Sequence, residues 1–368
     1  MWLFYFLIVT LIIQFAYLLG PFRRLIQHQP AKTNVAHYPS VSVVICARNE
    51  LENLKKLLPS LVQQDYPDFE IVVINDRSSD GSNEWLIDFE HKTQNTTLKF
   101  VHLTDKPKNW NGKKYALKTG IESASNTWLL LTDADCLPKS DNWIKEMGNH
   151  TFEDNNLILG TSFYSRKNGF LNAFIQYETF QTAIQYLSSA ICGFPYMGVG
   201  RNMMYTKDLF LRSSQFSESF GVTGGDDDLF VSEVAKKDNT QICISQDSQT
   251  ISNPPENFKS WFRQKIRHLG VSRHYNMKTK VILGVFHTSW LFYYILTITL
   301  LLNTNLFLIT LMTFSLRTIA IFYIFGQLWK KLNGQTPYHL IPLMDFIYPF
   351  YIWFMGPIAM LFKKVKWR

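Results

Sequence analysis

The chain of 368 residues is 46% hydrophobic and only 18% charged, which excludes a disordered tail or a coiled coil and allows roughly two domains. Its formal net charge of +8 is compatible with nucleic acid, an anionic membrane surface or a phosphorylated substrate as partner. The cysteines Cys46, Cys136, Cys192 and Cys243 show no paired spacing, which argues against a disulfide scaffold or a Cys-based zinc module and for a reducing compartment.

Residues 1–20 contain no Asp, Glu, Lys or Arg and run into Pro21. A helix of about 20 apolar residues crosses the hydrocarbon core. No basic segment precedes this run and no small-residue cleavage site follows it, so a retained anchor over residues 1–21 is expected rather than a removed signal peptide. Arg23 and Arg24 follow directly and predict that the chain from residue 22 onward is cytoplasmic.

Residues 22–280 read as one α/β domain. Val41–Cys46, Glu70–Ile74, Leu98–Leu103 and Thr127–Thr132 are short strand-like runs. Three of them are apolar enough to be buried on both faces. Leu51, Leu54, Leu57, Leu58 and Leu61 recur at helical spacing, and Gly81–Phe89 and Lys113–Ala124 also read as helices. Alternating strands and helices predict a parallel sheet with right-handed crossovers. Ligands bind such sheets at the carboxyl ends of the strands. There the sequence is acidic and turn-forming: Ala47-Arg48-Asn49-Glu50, then Asn75-Asp76-Arg77-Ser78-Ser79-Asp80-Gly81, then Asp133-Ala134-Asp135.

Asp133 and Asp135 stand one residue apart at the end of a buried run. Two carboxylates so close repel each other unless a cation sits beside them. Mg²⁺ takes one or two carboxylates plus substrate phosphates, and Mn²⁺ accepts the same oxygens. Asp133 and Asp135 are therefore the expected Mg²⁺ or Mn²⁺ ligands. Further along, Phe170, Phe174, Tyr177, Thr179, Phe180 and Ile184 suggest an amphipathic or core helix, and Phe194–Asn202 is a glycine-containing turn.

Three apolar stretches follow, at 281–302, 306–328 and 340–362. Lys330 and Lys331 follow the second, and Lys363, Lys364 and Lys366 follow the third. If Lys330 and Lys331 are cytoplasmic, a third full crossing would put the last lysines outside, against the charge rule. Pro342, Pro349 and Pro357 leave a re-entrant or interfacial hairpin as the alternative. The C-terminal membrane region, 281–368, thus holds two to three helices. Arg317, mid-span, is costly in lipid and is expected to face protein or a lipid phosphate.

In order and spacing, Ala47–Glu50, Ile74–Gly81, Gly112-Lys113-Lys114-Tyr115-Ala116-Leu117, Asp133–Asp135, Gly224–Leu229 and Gln264-Lys265-Ile266-Arg267-His268 resemble a membrane-bound family 2 glycosyltransferase with a GT-A fold. The flanking helices resemble those of polysaccharide synthases and ceramide glucosyltransferases. The resemblance covers residues 41–270 and implies a Rossmann-like, mainly parallel sheet. It assigns Arg48, Glu50, Asp76, Lys113 and Asp133 to a nucleoside-diphosphate sugar, with Asp135 ligating the metal that bridges its phosphates. It gives the role of catalytic base to Asp226, with Asp227 second, because this Asp-Asp-Asp run departs from the commoner Glu-Asp form. Crowded carboxylates raise at least one pKa, which suits a base.

Gln264, Arg267 and His268 resemble a Gln-x-x-Arg-Trp motif near the diphosphate and acceptor, with His in place of Trp. That replacement favours a single sugar transfer over processive synthesis. Gly200, Arg201 and Asn202 are further candidates for the acceptor side. The expected partners are a UDP-sugar, a lipid or glycan acceptor and the membrane, without nucleic acid, at the plasma (inner) membrane. The competing expectation is a catalytically silent nucleotide-binding membrane scaffold.

Overall fold

The computed structural model describes residues 1–29, 38–93, 98–107, 110, 112–151, 156–214, 225–334 and 337–362. Gly224 and the terminal lysines Lys363, Lys364 and Lys366 lie outside them. The chain forms two compact units. Among the described residues the first holds 1–29, 166–192 and 254–362, and the second holds 38–165 and 193–253.

The second unit is built on a seven-stranded sheet of order β3-β2-β1-β4-β8-β6-β9. Its strands are β1 (Val41–Ala47), β2 (Phe69–Asp76), β3 (Leu98–Leu103), β4 (Trp128–Asp133), β6 (Leu157–Leu159), β8 (Met203–Thr206) and β9 (Thr240–Ile242). β1 pairs in parallel with β2 and β4, and β2 with β3. β8 runs antiparallel to β4 and β6, so the sheet is mixed but mostly parallel. β1, β2 and β4 lack polar alternation because both faces of the sheet are covered. On one face Val43, Ile45, Ile71 and Val73 join a core with Leu54, Leu57, Leu58 and Leu61 of the helix Leu51–Val62. On the other the helix Gly112–Ser123 packs closely. A Cβ at Gly120 would lie 2.9 Å from Val44 Cγ1 and 2.3 Å from Ile74 Cδ1, so the approach requires glycine.

A small second sheet, β5-β10-β7, joins β5 (Cys136–Pro138), β10 (Thr250–Ser252) and β7 (Ser162–Tyr164). Its register sets Ser252 opposite Cys136 and beside the end of β4.

The first unit is helical. Among the described residues, four helices are long and apolar enough to cross a membrane: Trp2–Gln27, Met277–Leu301, Phe307–Lys331 and Tyr338–Leu361. Pro21 does not end the first of them, contrary to expectation. The helix Trp2–Tyr17 passes through a π-turn, Leu18–Phe22, that contains Pro21, and resumes at Arg23–Gln27. A wider turn absorbs the missing N–H and the ring clash that would break an ordinary turn. Lys331 Nζ closes the far end by donating to the carbonyls of Ile26 at 2.8 Å and His28 at 2.5 Å.

The last apolar stretch is a single helix, Ile341–Leu361, with Pro349 and Pro357 inside it, so the hairpin alternative is not formed. Arg317 faces protein. It meets Asp345 Oδ2 at 2.6 Å, Tyr294 Oη at 3.2 Å and Gln14 Oε1 at 3.2 Å, all buried. The predicted helix at 170–184 extends over Phe170–Ile191 and is buried on most sides, a core helix rather than an amphipathic one.

Candidate active site

The loops after β1 and β2 are knitted to each other. Asn49 and Arg77 both adopt φ +56°, a left-handed conformation that costs energy outside glycine and is tolerated best by Asn. Asn49 N–H donates to Ser78 Oγ at 2.9 Å, and Ser79 N–H donates back to Asn49 Oδ1 at 2.8 Å. Asp80 accepts from Leu51 N–H at 2.9 Å and Ser82 N–H at 3.1 Å, serving the first turns of two helices. Its slight burial pushes its pKa up, but the hydrogen bond from the Ser82 hydroxyl and these backbone bonds outweigh that and hold it below the ordinary value. Asp80 is thus a structural member of its loop.

Asp76 is fully buried, and its Oδ1 takes Arg77 Nε at 2.7 Å and Nη2 at 2.6 Å. Among the described residues no hydrogen bond reaches Asp76 Oδ2 or Asn75 Oδ1, both buried. These are open acceptors at the carboxyl end of β2, suited to an imide N–H or a sugar hydroxyl. Arg48 directly follows β1 and Glu50 stands at the start of the next helix. Burial raises the Glu50 pKa, which the hydrogen bond from Asn53 opposes, while Asp135 and Asp133 nearby raise it further.

At the end of β4, ligand atoms of Asp133, Asp135 and Cys136 lie within 4.8 Å of one another. Ser252 Oγ donates to Asp135 Oδ2 at 3.0 Å, and Cys136 Sγ contacts Asp135 Oδ1 at 3.3 Å. Burial, reinforced by Asp135, pushes the Cys136 thiol well above its ordinary pKa. Its Sγ donates to Asp135, and with Asp133 and Asp135 it belongs to a group that could hold a metal ion. Two carboxylates remain as hard oxygen donors, which fits Mg²⁺ or Mn²⁺ completing its shell with phosphates and water.

Lys113, in the first turn of the helix Gly112–Ser123, links the two acidic loops. Its Nζ lies 3.0 Å from Asp133 Oδ1 and 3.4 Å from Asp226 Oδ2. Burial alone would lower its pKa, but Asp133, Asp226 and Asp227 raise it well above that of an ordinary lysine. Asp226 and Asp227, adjacent in sequence, do different things. Asp227 caps the helix Asp228–Val234 through Asp228 N–H at 2.9 Å, and its Oδ2 accepts Gly200 N–H at 2.9 Å. Burial and then Asp226 raise its pKa. Asp226 is also pushed up by burial, but Lys113 prevails and holds it below the ordinary carboxylate value. Asp133, Asp226, Asp227, Lys113, Gly200 and Cys46 line one cleft.

Asn202 is a structural anchor. Its Nδ2 donates to the carbonyls of Thr161 and Ser248, both at 2.7 Å, and its Oδ1 accepts Trp143 Nε1 at 3.0 Å. Arg201 lies 4.5 Å over the Tyr164 ring and donates to the Ser162 carbonyl at 3.3 Å. Gln264, Arg267 and His268 belong to the first unit and share one face of the helix Phe258–Gly270, at i, i+3 and i+4. Sequence reasoning missed Arg77, Lys114, Cys136 and Ser252. Lys114 is buried in the helix start, which lowers its pKa against the pull of Asp226 and Asp227. Ser252 stands 117 residues from Asp135, beyond any local signal.

The Glycosyl transferase family 2 model matches residues 42–210, and the Glycosyl transferase family group 2 model matches residues 128–361. The poly-beta-1,6-N-acetyl-D-glucosamine synthase of Staphylococcus epidermidis is 33% identical over 121 residues, 33% of this chain and 27% of that protein. The probable glycosyltransferase YdaM of Bacillus subtilis is 26% identical over 254 residues, 64% of this chain and 56% of that protein. The matches thus span well under two thirds of either relative's length. Among solved structures, the mannosyltransferase PcManGT from Pyrobaculum calidifontis, in complex with GDP-Man and Mn2+, superposes with a TM-score of 0.60 at 16% identity. The match covers 98% of this chain and 100% of that one and shows the GT-A fold. The second family model spans more than half of the sequence and takes in the acidic residues Asp133, Asp135, Asp226 and Asp227 and the last three apolar helices, so the chain belongs to glycosyl transferase family group 2.

Proposed function

We propose that the protein is an inverting, metal-dependent transferase that moves a sugar from a UDP-linked donor to a lipid-linked or glycan acceptor at the cytoplasmic face of the plasma (inner) membrane. The observation that carries this reading is the cleft in which Lys113 stands between Asp133 and Asp226, beside the Asp133–Asp135 pair. The open acceptors at Asp76 and Asn75 support a nucleoside site, with Arg48 and Glu50 on the neighbouring loop. The relatives named as polysaccharide synthases support a glycan product. The four apolar helices, with Arg23 and Arg24 near the end of the first, support the membrane assignment.

In this reading Asp133 and Asp135 would hold a divalent ion, which would supply Lewis-acid offset of the charge on the departing diphosphate. Asp226 accepts the proton of the acceptor hydroxyl as its oxygen bonds to the anomeric carbon. The bond from that carbon to the phosphate oxygen breaks, and the nucleoside diphosphate leaves with its electron pair. Attack opposite the leaving group inverts the anomeric centre. Lys113 keeps Asp226 ionised before the acceptor arrives. Asp227 fixes the turn that presents Asp226, so Asp226 is the base and Asp227 its support. Gln264, Arg267 and His268 serve the diphosphate and the acceptor, as their motif implies; a guanidinium can hold a phosphate through two parallel bonds.

The test is a panel of radiolabelled UDP-N-acetylglucosamine, UDP-glucose and GDP-mannose, offered to the purified full chain with membrane lipid extract and Mn²⁺ or Mg²⁺. Transfer from a UDP-sugar that is lost with EDTA and in Asp135→Ala supports the reading. Full transfer without divalent metal, or from GDP-mannose alone, overturns the metal or the donor assignment.

A further inference from the structure

A second buried ion pair lies in the helical unit, and the reaction scheme above does not use it. Lys265 sits inside the Gln264–His268 motif, yet its side chain is buried against another helix. Its Nζ lies 2.8 Å from Glu178 Oε2, with the two side chains only 9% and 6% exposed. Tyr351 Oη donates to the other carboxylate oxygen, Glu178 Oε1, at 2.6 Å. Glu178 belongs to the helix Phe170–Ile191, Lys265 to Phe258–Gly270 and Tyr351 to Ile341–Leu361, so the cluster ties three helices together.

One turn before it lies an aromatic counterpart. Phe174 and Trp261, each four residues ahead of its charged partner, pack on Tyr351 with ring centres at 5.0 and 5.6 Å, and on each other at 5.9 Å. Two helices thus each offer an i, i+4 pair to a single tyrosine of an apolar, membrane-length helix. An apolar contact alone would bury the same surface without the desolvation cost of two charges. It would also tolerate sliding, whereas a close ion pair combined with the Tyr351 hydrogen bond holds only at one axial register.

We infer that Lys265, Glu178 and Tyr351 form a positioning lock that fixes the register of the Phe258–Gly270 helix and thereby aims Gln264, Arg267 and His268. This rests on the motif assignment in the proposed function. Lys265 is a positioning residue and does not touch substrate. Because Arg267 would act on charge developing during transfer, a slipped register should reduce kcat more than it changes donor KM.

The experiment uses the full chain in native membranes, with UDP-N-acetylglucosamine and Mn²⁺ as probe and UDP release as readout. The double variant Glu178→Gln with Lys265→Met removes both charges at nearly constant volume and strands neither. It should lower kcat at least about tenfold with donor KM within about threefold, while Lys265→Arg keeps kcat within about threefold. Wild-type kcat in the folded double variant overturns the lock. If the double variant does not fold, Tyr351→Phe decides: a reduced kcat with unchanged KM supports the lock and an unchanged kcat overturns it.

Arg267→Ala runs in parallel as the control on the motif itself. If it is as active as the parent, the motif reading fails and the lock with it. If the parent releases no UDP from any donor, the proposed function fails and the lock is judged by hydrogen exchange. Faster exchange across 258–270 in the double variant, with 277–301 unchanged, then supports it, and equal exchange overturns it.

Discussion

The two units handle buried charge in opposite ways. In the helical unit the two terminal nitrogens of Arg317 are bonded to Asp345, Tyr294 and Gln14, with the Tyr293 ring 4.7 Å below the guanidinium. Lys265 and Glu178 are closed in the same manner by Tyr351. In the α/β unit Asp133 remains 36% and Lys113 26% exposed, and Asp76 keeps a buried oxygen without a hydrogen bond among the described residues. Closed clusters hold helices in place, while charges left open on one side have capacity for a ligand. What separates the two cases is exposure: the Arg317–Asp345 and Lys265–Glu178 pairs are almost wholly buried, while Lys113 and Asp133 keep a side open to solvent.

That contrast can be broken most sharply at Asp226. Asp226→Asn should lower turnover by about 10²–10⁴-fold, the range for a general base, while isothermal titration with UDP and Mn²⁺ finds donor-product affinity within about threefold. A variant that unfolds instead would move Asp226 to the structural class. Next in size, Arg317→Met should cost about 3–5 kcal/mol because it strands Asp345, whereas Arg317→Met with Asp345→Leu should recover most of that loss. Thermal unfolding in detergent measures both, and equal losses in the single and double variants would contradict a closed, purely structural pair.

Lys113→Met sharpens the comparison on the open side. Lys113 is what holds the Asp226 pKa below its ordinary value against burial, so its removal leaves burial to raise that pKa. The base must be ionised, and activity fails as pH falls through its pKa. The acidic limb of the kcat/KM profile should therefore move to higher pH, and an unmoved limb would reject Asp226 as the titrating base. The smallest effect is expected at Asp227→Ala, which removes a helix cap worth about 1 kcal/mol together with the bond from Gly200. It should cost stability and shift turnover less than Asp226→Asn does.

Much of the α/β unit was legible in the sequence because β1, β2 and β4 are continuous apolar runs and the Leu54–Leu61 spacing is unambiguous. The acidic loops were legible for the same reason: once a buried strand is located, whatever follows it stands at the sheet edge. What local sequence did not carry was distance. The approach of Ser252 to Asp135, and of Glu178 to Lys265, joins residues far apart in the chain. Pro21 misled because proline normally ends a helix, and only the surrounding structure supplies the π-turn that accommodates it. The run Asp226-Asp227-Asp228 looks uniform as letters. Backbone geometry divides it into a residue facing Lys113, a cap and the first residue of a helix.

On the proposed membrane assignment, the Arg317–Asp345 pair also constrains how the protein is made. The two residues are 28 positions apart and lie on successive apolar helices, so the cation is synthesised before the carboxylate that neutralises it. A lone guanidinium at mid-bilayer is disfavoured by several kcal/mol on most scales, about 2.5–3.5 kcal/mol on insertion scales. Segment 307–331 is thus poorly suited to settle in lipid until 341–361 emerges from the ribosome to accompany it. The last two helices should enter the bilayer as a pair, and a nascent chain interrupted between them would carry an exposed signal for membrane quality control.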